Sequence, residues 1–213
     1  MPQRGNMRTQ TFVRMFPRCG IPDVFGTWAE HRRFYEELVD TNCIQEFTQI
    51  WWSVRPHHRF GTVEVRICDA QTEAWESLAI SSLTVGLIAH LTRIYDEGLP
   101  LPILETRYVE ENLWRAIRYG LDGKLVDWVM GEELPAADAI RHLVELAAPY
   151  ADAIGLSPHL VDVERMLREG NGAQQQTRAY AEGQSLLEIL AGEVAEARAS
   201  SLAPATGPQG GQP

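Results

Sequence analysis

The residues of this 213-residue chain that could do chemistry are concentrated in one stretch, residues 51–69. Side chains in a β-strand alternate between two faces. If residues 62–68 are extended, one face is apolar and points into a core: Val63, Val65 and Ile67. The opposite face is polar and carries Thr62, Glu64, Arg66 and Cys68. A carboxylate and a guanidinium on one face are groups that bind cations and phosphate oxygens.

The connection before this strand adds further cationic and imidazole groups. Residues 48–55 are rich in β-branched and aromatic side chains and are followed by a proline, which predicts a strand, a short loop and a second strand. The loop holds two imidazoles and a guanidinium: His57, His58 and Arg59. Together with Arg55 they could hold anions or a metal ion, or form a solvated face on which Glu64 and Arg66 simply pair. Adjacent histidines face opposite ways in an extended chain, so at most one enters a site.

Composition and charge exclude several classes of function. The chain has 19 lysines and arginines against 29 aspartates and glutamates, and this net charge of −10 disfavours nucleic acid or an anionic membrane as a partner. Its cysteines are odd in number and widely spaced, which fits neither a disulfide framework nor a zinc site: Cys19, Cys43 and Cys68. Residues 1–8 lack the apolar core of a signal peptide, and the apolar run 77–91 is too short to span a membrane. We therefore expect a soluble, cytoplasmic protein in which residues 77–91 form a buried helix.

The periodicity predicts an α+β chain in which a pair of strands precedes a mainly helical half. Thr27 is the expected N-cap of the first helix. Asp122 and Gly123 form an expected turn between two short extended pieces. Residues 201–213, rich in Pro, Gly and Gln, are expected to be a disordered tail. Helices are predicted at residues 27–39, 73–96, 107–119, 135–154, 158–168 and 173–199.

Five blocks of the sequence resemble one known family. The most specific block is RPHHRFGTVEVRICDAQT at residues 55–72. The others are MRTQTF at residues 7–12, VFG at 24–26, NLWRAIRYG at 112–120 and GNGAQQQ at 170–176. Taken in chain order, over residues 7–181, the five blocks resemble the carboxylate-amine ligase family, which is the second type of bacterial glutamate-cysteine ligase.

The resemblance implies a function and a fold. Members of the family use ATP and Mg²⁺ to join an amino-acid carboxylate to an amine through an acyl-phosphate; in the best-known reaction the γ-carboxylate of glutamate joins cysteine. Their active site lies on an antiparallel sheet of the glutamine-synthetase type, so residues 1–200 are expected to be the later half of such a domain. Phosphoryl transfer needs divalent cations that bridge phosphate oxygens and cationic side chains that offset developing charge.

The resemblance also implies roles for particular residues. Glu64 looks like a carboxylate ligand for Mg²⁺, and Arg66 looks like the catalytic group that neutralises a phosphate. Arg8 is a candidate for gripping the substrate carboxylate, which guanidinium geometry favours, and Arg55 is the second candidate for binding substrate. The candidates for contacting the phosphates of the ATP cofactor are His57 and Arg59.

Four other features have two interpretations each. The tryptophans at residues 51–52 are expected in the core, with adenine stacking as the alternative. Arg115 and Arg118 share a helix face that is solvated or salt-bridged, or else contacts nucleotide. The Gly-rich turn at residues 170–173 caps a helix, or binds an anion at the next helix start. Cys68 is expected to be a small buried residue, with the nucleophile of a hydrolase as the alternative.

The resemblance covers only part of the family's length. Its members begin with a long stretch whose early strand bears several acids that supply most of the metal ligands, and about half of the expected chain is absent here. A lone pair of strands is also marginal and leaves unpaired edges. Three hypotheses follow: a ligase subunit completed by a second polypeptide, an enzyme that completes its sheet by homo-oligomerisation, or a truncated, non-catalytic remnant that acts as an interaction or structural protein.

Overall fold

The computed structural model describes residues 11–13 and 15–202, which form a mixture of helices and short strands. This agrees with the predicted α+β class. The helices are α1 (Trp28–Asp40), α2 (Ala74–Asp96), α3 (Thr106–Tyr119), α4 (Ala136–Ala153), α5 (Ser157–Leu160), α6 (Asp162–Glu169), α7 (Gly172–Ala181) and α8 (Leu186–Leu202). The strands are β1 (Cys19–Gly20), β2 (Trp51–Trp52), β3 (Val54–His57), β4 (Thr62–Val65), β5 (Lys124–Asp127) and β6 (Glu132–Pro135). Short 3₁₀ helices occupy Phe47–Gln49 and Gly120–Asp122.

The described chain divides into two compact units, each built from two separate stretches of sequence. The first unit contains the described residues up to Asp69 together with Leu101–Ala139. The second contains Ala70–Pro100 together with the described residues from Ile140 onward. The assignment of residues 1–200 to one larger ligase domain stays a prediction.

Among the described residues of the first unit, the strands form three two-stranded pairs. β1 and β2 run parallel, whereas β3–β4 and β5–β6 are antiparallel hairpins. The predicted strand, loop and strand are therefore present, with Arg55 directly opposite Glu64. The elements are shorter than expected, because residues 47–49 form a 3₁₀ helix and β4 ends at Val65.

Helix α1 begins where the sequence predicts, because Thr27 caps it. The Thr27 Oγ1 accepts a hydrogen bond from the Glu30 N–H at 3.2 Å, and Glu30 Oε2 accepts one from the Thr27 N–H at 3.2 Å. This reciprocal capping box satisfies two backbone donors at the helix start. The helix packs against a buried cluster, here called the aromatic core, whose centre is Ile44, Phe47, Ile50 and Trp52. The Phe34 ring of α1 stacks on Trp52 at a centroid distance of 5.8 Å.

The β5–β6 hairpin is joined to α3 by a side-chain amide. Asn112 Nδ2 donates to the Val126 carbonyl at 2.8 Å, and Asn112 Oδ1 accepts from the Val126 N–H at 2.9 Å. The hairpin turn lies at residues 128–131. The expected turn at Asp122 and Gly123 is therefore wrong, because these residues precede β5. The sequence analysis missed β6, whose Glu-Glu-Leu-Pro sequence has little strand propensity.

The second unit packs its helices around small side chains. Its buried centre is Ala79, Ala147, Ala151, Leu160 and Val163. Gly86 of α2 lies so close to α4 that a Cβ added to it would stand 2.8 Å from the Ala147 Cβ. The distance between packed helices depends on the side chains at their contact, and here both are small. At the side of this unit the Arg165 guanidinium lies 3.9 Å from the centroid of the Trp75 ring, a cation–π contact.

Helix α2 has the predicted extent, residues 73–96, to within one residue, but it differs from its prediction in burial. It has 23 residues, and its length and mean hydropathy of 1.4 would allow it to cross a membrane, a test that core helices also pass. Its buried side is formed by Glu76, Ala79, Ser82 and Gly86. Four of its large apolar side chains are nevertheless 38–45% exposed: Leu78, Val85, Ile88 and Leu91. The prediction of a buried helix is therefore wrong for these four residues, because α2 packs through its small residues together with the half-buried Leu83 and Leu87.

The C-terminal helices are interrupted where one continuous helix was predicted. Residues 182–185 separate α7 from α8, and Gly183 among them has φ +99°. This backbone conformation suits glycine and commonly ends a helix. Helix α8 includes residues 201–202, and the rest of the predicted tail, residues 203–213, lies outside the described residues.

Candidate active site

The β3–β4 hairpin gathers the predicted polar residues on one face. Directly opposite residues of an antiparallel pair lie on the same face of the sheet. The register therefore gives a polar face made of Arg55, His57, Thr62 and Glu64. The Arg66 N–H donates to the Ser53 carbonyl at 2.7 Å, which continues the pairing one step beyond the strands.

The other face of this hairpin is apolar but exposed. By the same register it consists of Val54, Pro56, Val63 and Val65. Val63 is 52% exposed, and Ile67, just beyond β4, is 40% exposed. The expectation that Val63, Val65 and Ile67 point into a core is therefore wrong, because two of these side chains are open to solvent and Val65 is only half-buried.

Arg55 is the buried member of the polar face, with 4% of its surface exposed. Its Nε donates to Glu64 Oε2 at 2.8 Å, while Nη1 donates to the Thr48 carbonyl at 2.9 Å and to the Ile50 carbonyl. Its Cζ also lies 5.6 Å from the centroid of the Phe47 ring. An arginine is rarely buried unless its charge is paired. The guanidinium predicted to bind substrate is thus already engaged by groups of the protein.

Glu64 lies between two arginines. Its Oε2 accepts from Arg55 Nε and, at 3.4 Å, from Arg66 Nη1. The hydrogen bond from Arg55 holds the pKa of Glu64 below its ordinary value, and the Arg66 and His57 side chains act in the same direction. Glu64 is therefore ionised at neutral pH. The Arg66 side chain is 41% exposed and offers its guanidinium to an anion.

The adjacent histidines of the loop have different surroundings. His57 Nε2 lies 4.0 Å from Glu64 Oε1, and the His57 ring stacks on Phe60 at a centroid distance of 4.5 Å. His57 Nδ1 is buried without a hydrogen-bond partner among the described residues. His58 instead contacts the Phe47 ring of the aromatic core at a centroid distance of 4.3 Å. Of the two, only His57 lies beside the Glu64 carboxylate.

A third histidine, His31, belongs to the same region and was missed by the sequence analysis. His31 is 6% exposed, and its ring stacks on those of Trp28 and His58 at centroid distances of 5.0 Å and 5.4 Å. Neither of its ring nitrogens has a hydrogen-bond partner among the described residues. Burial lowers the pKa of His31, and the neighbouring His58 lowers it further. The signal was available, because His31 precedes Phe34 and Tyr35 at the three- and four-residue spacing of one helix face.

Four of the six predicted site residues lie together, and we refer to them as the Arg55–Glu64 cluster: Arg55, His57, Glu64 and Arg66. The exposed Arg59 lies in the turn of the hairpin, where its Cζ is 5.7 Å from the Phe60 ring centroid. Arg8 lies outside the described residues. The cluster therefore combines one carboxylate, two guanidinium groups and one imidazole.

This composition suits an anion better than a lone cation. Residues 54–66 contain three arginines and a single acid. In the described part of the chain, no group of three or more His, Cys, Asp or Glu side chains could hold a metal ion. Mg²⁺ requires several oxygen ligands, and Glu64 supplies one carboxylate whose Oε2 already accepts from two arginines. The described residues therefore do not form a Mg²⁺ site by themselves.

Two of the residues with alternative interpretations serve the fold. Trp52 is 6% exposed in the aromatic core, whereas its neighbour Trp51 is 43% exposed. Arg115 pairs with Glu111 at 2.9 Å and with Glu133 at 2.7 Å. Arg115 therefore links α3 to the second hairpin, as expected of a salt-bridged face.

The Gly-rich turn is a helix junction. Gly170 ends α6 with φ +86°, and Asn171, with φ −77°, is the N-cap of α7. Asn171 Oδ1 accepts from the Gln174 N–H at 3.0 Å. One of the backbone donors that an anion would need at this helix start is thus occupied by the cap.

Cys68 does not have the environment of a nucleophile. Partial burial of its thiol raises the pKa of Cys68, and the Asp69 carboxylate raises it further. A reactive cysteine needs the opposite shift, because the thiolate is the attacking species. The residue as a whole is nevertheless exposed, so the expectation of a small buried residue is wrong.

Comparison with known proteins gives these residues a context. The family model described as glutamate-cysteine ligase family 2 matches residues 6–200. The chain is 36% identical to a protein of Solibacter usitatus over 89% of its own length and 49% of the relative. It is 39% identical to a protein of Sorangium cellulosum over 86% of its own length and 48% of the relative. It is 38% identical to a protein of Rhodospirillum rubrum over 88% of its own length and 49% of the relative. Each relative is provisionally named glutamate-cysteine ligase 2. The chain thus spans about half the length of the curated relatives it matches.

Proposed function

The chain belongs to glutamate-cysteine ligase family 2, and on that premise we propose that it takes part in the ATP-dependent joining of an amino-acid carboxylate to an amine. The observation that carries the proposal is the Arg55–Glu64 cluster, which lies inside the matched residues 6–200. The proposed product is a γ-glutamyl amide of cysteine or of another amine, formed through an acyl-phosphate on a sheet of the glutamine-synthetase type. Such an enzyme would work in the cytoplasm, in the synthesis of a glutathione-like thiol.

The cluster supports this chemistry through its charges. An acyl-phosphate forms when a carboxylate oxygen attacks the terminal phosphorus of ATP and ADP leaves. The amine then attacks the acyl carbon, and inorganic phosphate leaves as the amine loses a proton. Cationic side chains stabilise the charge that moves onto the phosphate oxygens in the first step. The exposed Arg66 guanidinium is the proposed catalytic group for this step. His57 and Arg59 are the proposed contacts to the ATP phosphates, and Arg8 is the proposed contact to the substrate carboxylate.

The proposed cofactors are ATP and Mg²⁺. When bound, the ion would supply positive charge that offsets the negative charge of the phosphates. Glu64 is the proposed protein ligand, through Oε1, because Oε2 accepts hydrogen bonds from Arg55 and Arg66. One carboxylate is too few for this ion, so further oxygen ligands must come from ATP, water or another polypeptide.

The proposed partner is a polypeptide that completes the sheet, either a second protein or another copy of the chain. The β3–β4 hairpin is two-stranded among the described residues and has the exposed apolar face defined by Val54 and Val63. Two-stranded sheets are marginal in water, and an open strand edge favours pairing with another strand. This partner would also supply the metal ligands that the described residues lack.

A second candidate is a non-catalytic remnant of the family that acts as an interaction or structural protein. The family match names a ligase and does not favour this candidate, which rests on one observation: the described residues contain no three-ligand metal group. It predicts a folded chain that binds no nucleotide.

Calorimetric titration of the 213-residue chain with Mg²⁺ and a non-hydrolysable ATP analogue separates these candidates, with light scattering to measure the mass of the same sample. We expect binding by the unaltered chain and at least about tenfold weaker binding after Glu64→Gln, because the neutral amide is a poor ligand for the cation. Arg115→Met is the matched control, since it breaks an ion pair outside the cluster. A folded monomer without binding would favour the remnant or a ligase subunit that lacks its partner. Unchanged binding by Glu64→Gln would remove the metal role of Glu64.

A further inference from the structure

We propose, resting on the function proposed above, that Arg55 is a positioning residue that fixes the Glu64 carboxylate rather than a group that touches substrate. Arg55 is the one buried arginine in the described ranges, whereas the Arg66 side chain is 41% exposed. A side chain that binds a substrate must be open to it. Of the two cluster arginines, only Arg66 meets that condition.

The hydrogen bonds of Arg55 connect the carboxylate to fixed backbone. Nε holds Glu64 Oε2, and Nη1 holds the carbonyls of Thr48 and Ile50. The Ile50 N–H is itself bonded to the Phe47 carbonyl at 3.1 Å, so this segment is held by its own 3₁₀ turn. The guanidinium is planar with donors at fixed angles, and it therefore transmits the backbone position to the carboxylate.

Fixing Oε2 also determines where Oε1 lies. With Oε2 held by Arg55 and contacted by Arg66, Oε1 is the oxygen on the His57 side, 4.0 Å from Nε2. A glutamate that is free in solution must lose rotamer freedom when it binds a ligand. Arg55 removes that freedom before the ligand arrives, which is how a supporting residue increases affinity without contact.

The test is a double-mutant cycle on the full chain, with Mg²⁺ and the same ATP analogue as probe. Arg55→Met and Glu64→Gln should each weaken binding by about tenfold, and the double variant should bind no more weakly than Glu64→Gln alone. Arg55→Lys should resemble Arg55→Met, because an ammonium group cannot span Glu64 and the two carbonyls at once. Arg115→Met, which breaks the ion pairs to Glu111 and Glu133, should leave the affinity unchanged.

A readout independent of ligand is the Arg55 Nε–H resonance in the NMR spectrum of the chain. It should be protected from exchange with water and should lose that protection in Glu64→Gln. Thermal unfolding of each variant shows whether it is folded, and if Arg55→Met unfolds, the cycle is run with Arg55→Lys instead.

The outcomes separate the positioning role from the proposed function. If the double variant loses affinity by the product of the two single-variant losses, or if Arg55→Lys keeps full affinity, the positioning role would be overturned. The ligase proposal would remain intact in either case. An unprotected Nε–H in the unaltered chain would also overturn the positioning role. Absence of any binding by the unaltered chain would overturn the positioning role, which requires a site already formed in this chain, and would restrict the proposed function to a complex with the polypeptide that completes the sheet.

Discussion

At the residue scale, two arginines of the first unit pair with glutamates in different surroundings. The Arg115 side chain is 24% exposed, and such solvated pairs contribute little to stability. The Arg55 side chain is 5% exposed, so the loss of Glu64 would leave a nearly buried charge without its partner. Variants of Arg55 and Glu64 therefore perturb the fold as well as the chemistry. For this reason, conservative replacements are more informative than alanine at these positions.

The reactivity of Cys68 gives a second test at this scale. We expect Cys68 to alkylate with iodoacetamide more slowly than the exposed Cys43 at pH 8, because thiol burial and Asp69 raise the pKa of Cys68 and lower its thiolate fraction. Peptide mass spectrometry over time measures both rates in one sample. Asp69→Asn should increase the Cys68 rate, since it removes one of the two causes. A Cys68 rate equal to that of Cys43 would contradict the assignment.

At the element scale, local signals determine where elements begin, and long-range packing determines what they bury. Thr27 predicts the start of α1 because its capping box uses neighbours within three residues. The pairing of Arg55 with Glu64 likewise follows from a short hairpin. The exposure of Val63 and the burial of Arg55 could not be predicted, because each depends on residues that no local pattern identifies. The proximity of the four residues of the Arg55–Glu64 cluster was therefore predictable. The burial of Arg55 and its hydrogen bonds to Glu64 and to two backbone carbonyls were not.

Two helical glycines give a matched test of packing. Gly86→Ala should destabilise the second unit, because its Cβ would stand 2.8 Å from the Ala147 Cβ and 2.9 Å from the Ala147 carbonyl oxygen. Overpacking of this kind costs about 1–3 kcal/mol, against a helix-propensity gain of about 1 kcal/mol. Gly192→Ala in α8 meets nothing within 4 Å and should stabilise the chain by about 0.5–1 kcal/mol. Urea unfolding measures both, and equal effects of the two changes would contradict the close approach at Gly86.

At the scale of the whole molecule, charge is distributed unevenly. The chain carries a net charge of −10, yet residues 54–66 contain three arginines and one acid. Arg55 is buried and paired with Glu64, so the surface charge comes from the exposed Arg59 and Arg66. A local cationic surface on an acidic chain attracts small anions while the mean field repels large polyanions. This distribution agrees with a phosphate-bearing small molecule as the ligand and disfavours nucleic acid.

Whole-molecule stability should decrease below about pH 6.5. Burial lowers the pKa of His31 and of His58 in the folded chain, so on unfolding both return to an ordinary pKa near 6.5. Between pH 6.5 and the lower pKa values of the folded chain, the unfolded state binds more protons than the folded state. As the pH is lowered through this range, the free energy of unfolding therefore decreases, by at most about 1.4 kcal/mol per pH unit for each proton. The carboxylates with lowered pKa, such as Glu64 and Glu133, add a separate loss that begins near pH 4.5.

Urea unfolding between pH 5 and pH 8 measures this dependence. His31→Phe keeps an aromatic ring in the cluster and removes one titrating group, so it should flatten the profile. His142→Phe, at an exposed position of α4 outside this cluster, is the control for replacing an imidazole by a phenyl ring. A profile that is flat over this range in the unaltered chain would contradict the buried, neutral state of His31.

The amide of Asn112 bears on how the chain avoids aggregation. An open strand edge is a template on which other chains can add as further strands, up to cross-β fibres. At Val126 the N–H and the carbonyl are both bonded to the Asn112 side chain, at 2.9 Å and 2.8 Å. An extended segment that approaches this edge of β5 therefore finds neither group free. The Asn112 side chain of α3 thus blocks the addition of a further strand at Val126 of the second hairpin.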